Sequence, residues 1–83
     1  MSSMICLHFD AIIKINDQLP GLIEKYCEGE MRDKTLSAFA GGDDGDVTSY
    51  HVTVSTQKGK YFLEFSTKGK LKEVRSCGKI LFP

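Results

Sequence analysis

The stretch Lys58-Gly59-Lys60-Tyr61-Phe62-Leu63-Glu64-Phe65-Ser66-Thr67-Lys68-Gly69-Lys70 holds two copies of one phrase ten residues apart, with an aromatic segment of strand length between them. Each Lys-Gly-Lys offers a glycine free to take positive φ in a tight turn, and charges that keep the turn in water. The spacing predicts an antiparallel meander. Outward from it, Tyr50, Val52 and Val54 alternate with polar residues through Val47 to Thr56, as a half-buried strand does. Tyr61, Leu63 and Phe65 repeat the pattern, and Leu71 to Ser76 makes a shorter, more charged strand. Gly41-Gly42-Asp43-Asp44-Gly45-Asp46 reads as the tip of a hairpin, because glycine and aspartate favour turns and weaken strands. Residues 30–40 read as a loop and then a strand. Leu36, Ala38 and Ala40 alternate there with Thr35, Ser37 and Phe39, although Met31 could also extend a preceding helix.

Two elements are predicted ahead of the meander. From Ile5 to Ile15 every odd position is apolar, a period of two that predicts a strand. Asp17 then serves as an N-cap with Pro20 in the first turn. Leu19, Leu22, Ile23, Tyr26 and Cys27 follow at i, i+3, i+4, i+7 and i+8, an amphipathic helix ending at Gly29. The expected fold is α+β, one amphipathic helix packed on one face of an antiparallel sheet in the order β-α-β-β-β-β. At 83 residues the chain is one small domain.

Composition narrows the function classes. No apolar run approaches the roughly 18 residues of a membrane span, and the first residues lack the basic start and apolar run of a secretory signal, so a cytoplasmic protein with no membrane partner is expected. Three cysteines, Cys6, Cys27 and Cys77, are an odd number without Cys-x-x-Cys spacing, which speaks against a disulfide framework or a zinc ribbon. Net charge is zero but uneven: residues 1–56 carry 4 basic and 9 acidic side chains, and 57–83 carry 7 and 2. The asymmetry matters to function if the basic strands share one exposed face.

The order Leu19-Pro20, Leu22-Ile23-Glu24-Lys25-Tyr26, Tyr50-His51-Val52-Thr53-Val54, Gly59-Lys60-Tyr61-Phe62-Leu63-Glu64-Phe65 and Lys68-Gly69-Lys70-Leu71 resembles the PepSY-like domains. The β-lactamase inhibitory proteins use a similar helix-plus-sheet plan. The resemblance covers about residues 18–76 and implies a non-catalytic binding or inhibitory module, with no catalytic residues to carry over. A strand ahead of the helix departs from that plan.

Candidate chemistry is sparse. Cys6, His8 and Asp10 are of types that ligate zinc or form a relay, yet same-face neighbours on a strand stand about 6.5 to 7 Å apart, too far for one metal to gather three of them. Asp43, Asp44 and Asp46 lack the EF-hand order and the bidentate glutamate that calcium requires, and read as an acidic surface for a basic partner. No Gly-x-Ser-x-Gly, phosphate loop or His-Glu-x-x-His occurs, so a protein without enzymatic activity, metal or cofactor is expected.

Phe62 is the side chain to watch. With Tyr61, Leu63 and Phe65 turned to the helix, Phe62 points outward beside Lys60 and Glu64, flanked by Lys72 or Val74, unless the tail Ile80 to Phe82 covers it. An aromatic among lysines anchors a protein interface or stacks on a nucleotide base. The expected function is therefore a protein-binding module, an inhibitor or regulator, using Phe62, Lys60 and Lys72 with Asp43, Asp44 and Asp46. Small inhibitors of phages and mobile elements often have this build. The alternative is a binder of single-stranded nucleic acid through Lys58, Lys60, Lys68, Lys70, Lys72, Arg75 and Lys79. A second copy of the chain, joined through a strand edge or the C-terminal tail, is a further partner the sequence allows.

Overall fold

The computed structural model describes residues 8–41 and 45–83. One helix, α1 (Phe9–Tyr26), is followed by five strands, β1 (Met31–Gly41), β2 (Asp46–Thr56), β3 (Gly59–Phe65), β4 (Leu71–Ser76) and β5 (Lys79–Phe82). The strands form one antiparallel sheet in sequence order. The α+β class and the meander are as expected, but the order is α-β-β-β-β-β. Residues 9–15, read as part of a strand, are the first half of the helix; Ile5, Cys6 and Leu7 lie outside the described residues.

The correction has a physical cause. Ala11, Ile15 and Leu19 are buried, with Ile12, Leu22, Ile23 and Tyr26 packed around them, a stripe of helical period running unbroken through both predicted segments. Alternation and stripe share Ala11 and Ile15, so a short window fits either. The long helix turns the whole stripe toward the core, buried or partly buried, while Phe9 and Ile13, which only the alternation places inside, are exposed. Asp17 lies mid-helix, and the N-cap is His8. Pro20 and Gly21, both poor helix formers, sit on the solvent side, where the Asn16 carbonyl that Pro20 cannot serve is free to meet water.

Two tyrosines of the sheet fix the helix ends. Tyr50 is buried in β2, and its hydroxyl accepts the His8 backbone N–H at 2.8 Å and lies 3.1 Å from His8 Nδ1. Tyr61 of β3 accepts the Glu28 N–H at 2.9 Å, and the Thr56 hydroxyl donates to the Glu28 carbonyl at 2.7 Å. Each ring adds apolar area to the core while its hydroxyl satisfies a backbone group at a helix end. Between them the β3–β4 turn touches the helix. Gly69 (φ +81°) accepts a 2.7 Å hydrogen bond from Gln18 Nε2, and a Cβ there would lie 2.9 Å from Lys14 Cβ and 3.0 Å from the Ala11 carbonyl oxygen.

The core lies between α1 and strands β2 to β4, where Val47, Tyr50, Val52, Val54, Tyr61, Leu63, Phe65 and Val74 are buried, with Tyr50, Val52, Val54, Tyr61, Leu63 and Phe65 inward as expected. The strand predicted late in residues 30–40 starts earlier, at Met31, and pairs with β2 along its length. Leu36 and Ala38 stand opposite the buried Val52 and Tyr50, yet Met31 to Ala40 are all exposed, because the helix does not extend over β1.

Candidate partner-binding face

Among the described residues nothing covers the second face of the sheet. In the β2–β3 and β3–β4 registers Phe62 lies opposite Thr53 on one side and Arg75 on the other, and it is 43% exposed. Residues two apart on a strand share a face, so Lys60 and Glu64 flank Phe62 along β3, and Glu73 and Arg75 line the same face of β4. Val74 does not flank Phe62; it is fully buried on the helix side, opposite Leu63. Lys72 falls at the register shift between β3 and β4 and reaches Glu64 at 3.5 Å. Arg75 pairs with Glu73 at 2.8 Å.

The C-terminal tail does not cover Phe62. It continues the meander as β5 beyond β4, where Phe82 lies opposite Val74 and meets Tyr26 edge to face at 6.2 Å between ring centres. Ile80 lies opposite Arg75 on the open face and is 61% exposed. A recess of about 230 Å³ opens beside Phe62, lined also by Arg75, Ser76, Cys77 and Gly78.

A second aromatic feature of this face escaped sequence reading. Phe39 of β1 stacks on His51 of β2, with ring centres 3.9 Å apart and planes inclined by 22°, and His51 Nε2 lies 2.9 Å from the Ser49 hydroxyl. Ser49 is buried, Phe39 covers the imidazole ring, and Glu64, opposite His51 in register, makes its ion pair with Lys72. The signal in the sequence was the hairpin register. It was unreadable because a shift between Phe39 and Ala40 moves Phe39 opposite Ser49, next to His51.

Of the residues expected to form the site, the structure brings Lys60, Phe62 and Lys72 onto one face. Asp43 and Asp44 lie outside the described residues. Asp46 opens β2 seven residues before Thr53, about 23 Å along the strand from the level of Phe62, so it belongs to another part of the surface. The basic residues are likewise divided. Lys58, Lys60 and Lys79 stand at the end of the sheet that holds the β2–β3 and β4–β5 turns and Lys68 and Lys70 at the β3–β4 end, while Lys72 and Arg75 are engaged by glutamates.

His8 occupies the N-cap position without a side-chain capping bond and Asp10 lies in the first turn, so the face that they were expected to share on a strand does not form; Cys6 lies outside the described residues. Among the described residues no group of three His, Cys, Asp or Glu side chains could hold a metal ion, and no helix is long and apolar enough to cross a membrane. Cys77 is exposed at the β4–β5 turn. Cys27 follows the helix, where burial pushes its thiol up to about 11 and keeps it protonated. No family model matches the chain, nor does any curated protein or solved structure.

Proposed function

We propose that this protein is a non-enzymatic protein-binding module, an inhibitor or regulator of its partner, and that the open face of the sheet centred on Phe62 is its contact surface. The observation that carries the reading is a half-exposed phenylalanine in the middle of a paired sheet, with a recess at its side and opposite charges around it. Phe62 is held by the strand backbone on both sides, so it would lose little conformational freedom on binding. Lys60, Lys72, Glu64, Glu73 and Arg75 form a mixed-charge rim of the kind that sets orientation and selects among partners. The implication of the PepSY-like resemblance, a binding or inhibitory module, points the same way. A nucleic-acid groove would need its cations gathered and free, and here they are split between two ends or paired with glutamates.

The test is affinity capture from the lysate of the native host, with and without nuclease, using the wild-type chain and Phe62→Ala. The expected result is a stoichiometric protein that survives nuclease and binds Phe62→Ala about 2 kcal/mol or more weakly, with the variant still folded. Capture that disappears with nuclease, or a protein held equally by both chains, overturns the reading.

A further inference from the structure

The two edges of the sheet are built differently. β5 has four residues, carries Lys79, is broken by a register shift against β4 and is followed directly by Pro83, all features that discourage another strand from adding to it. β1 has eleven residues and, among the described residues, pairs with β2 alone, which leaves a row of its backbone N–H and C=O groups pointing away from the sheet. Its two register shifts lie near its ends, at Met31/Asp33 and Phe39/Ala40, and leave Asp33 to Phe39 in regular register. Its charges, Arg32, Asp33 and Lys34, are all at one end, and Thr35 to Gly41 carries none.

We propose that β1 pairs antiparallel with β1 of a second copy, about a twofold axis at Ser37, so that two five-stranded sheets become one. The sequence of β1 is matched to itself in this arrangement. Around Ser37 opposite Ser37, Leu36 meets Ala38 of the other copy on the helix side, and Thr35 meets Phe39 on the open side, a β-branched residue against an aromatic. Farther out Lys34 faces Ala40 and Asp33 faces Gly41, so no charge stands opposite its like. The antiparallel sense carries the two Arg32-Asp33-Lys34 ends about 30 Å apart, whereas parallel pairing in register would set them side by side. The axis runs perpendicular to the sheet and leaves both helices on one side, with the exposed Leu36 and Ala38 of each copy meeting between them. A partner of unrelated sequence could use the same edge, but the match across the twofold is specific to a second copy. The proposal concerns this edge and does not depend on the role of Phe62.

The test is sedimentation equilibrium over a concentration series, on the wild type, Ser37→Lys, Ser37→Glu and an equimolar mixture of the two variants. The wild-type mass should approach double the 9.2 kDa of one chain as concentration rises. Each variant sets like charges opposite each other at the axis and should weaken self-association about fivefold or more, and the mixture should restore it as a Lys–Glu pair. Residue 37 is exposed, so circular dichroism should match the wild type in both variants. A wild type that stays at 9.2 kDa to about 1 mM overturns the proposal, and so do variants that dimerise as well as the wild type.

Discussion

Phe62 and Phe65 stand three residues apart on one strand and end in opposite surroundings. Phe65 is completely buried under the helix, and Phe62 faces out on the side of the sheet that no described element covers. Alternation alone separates them, since odd positions of β3 meet α1 and even positions do not. The covered face is a continuous apolar layer, whereas the open face mixes Phe39, Phe62 and Ile80 with hydroxyls and two ion pairs. The pair therefore separates a covered side from an open side within one strand, and substitutions on either side test that separation.

The largest effect belongs to Phe65→Ala. Removing a fully buried ring leaves a cavity under α1 and should cost about 3 to 5 kcal/mol in chemical denaturation, enough to unfold much of a domain this small. Phe62→Ala should cost less than about 1 kcal/mol in the same experiment. Comparable losses would mean that the open face is part of the core, and the contrast would break.

Gly69→Ala comes next, because two costs combine there. The residue has φ +81°, and an added Cβ would crowd the Ala11 carbonyl oxygen and Lys14 Cβ, so the β3–β4 turn must withdraw from the helix. A loss of about 2 kcal/mol is expected. Gln18→Ala, which removes the hydrogen bond to the Gly69 carbonyl without adding bulk, should cost about 1 kcal/mol.

Cys27 gives the covered side a dependence on pH. Its thiol is raised to about 11 in the folded chain from an ordinary value near 9, so between these values the unfolded chain loses its proton first. Stability should fall as pH rises from about 9 to about 11, and the difference between wild type and Cys27→Ala should shrink or reverse over that window. Denaturation series of both chains across the window measure the change, and an unchanged difference would mean that the thiol is not desolvated.

Gly21→Ala should move stability the other way. The glycine lies in α1 on the solvent side with open space where a Cβ would go, so alanine should stabilise the helix by about 0.5 to 1 kcal/mol, a small rise in melting temperature.

How much of this was legible in the sequence follows the range of the interactions involved. Strands β2, β3 and β4 could be read because alternation is local and the glycine turns fix where it restarts. The helix start was misread because Ala11 and Ile15 satisfy two periods at once, and the choice between them depends on burial against Leu63 and Phe65, some fifty residues away. Phe62 could be placed outward from its own strand. Its neighbours could not, since the shift at Phe65 decides that Arg75 rather than Val74 lies beside it. Asp46 shares its acidic composition with the expected site, and only the extra length of β2 beyond the end of β3 separates it from Phe62.

The smallest effect sharpens the comparison most. Lys72 and Glu64 form an ion pair on the open face at 3.5 Å, with the lysine side chain about half exposed. In water such a pair gains little Coulomb energy and loses side-chain freedom, so Glu64→Gln should change stability by no more than about 0.5 kcal/mol. The same substitution frees Lys72 from its partner and removes one negative charge from the rim. If that rim orients a protein partner, Glu64→Gln should alter the association rate and its salt dependence while thermal unfolding stays where it was. A shift in unfolding with no change in association would assign the pair to the fold, and the open face would lose its claim to be a surface kept for binding.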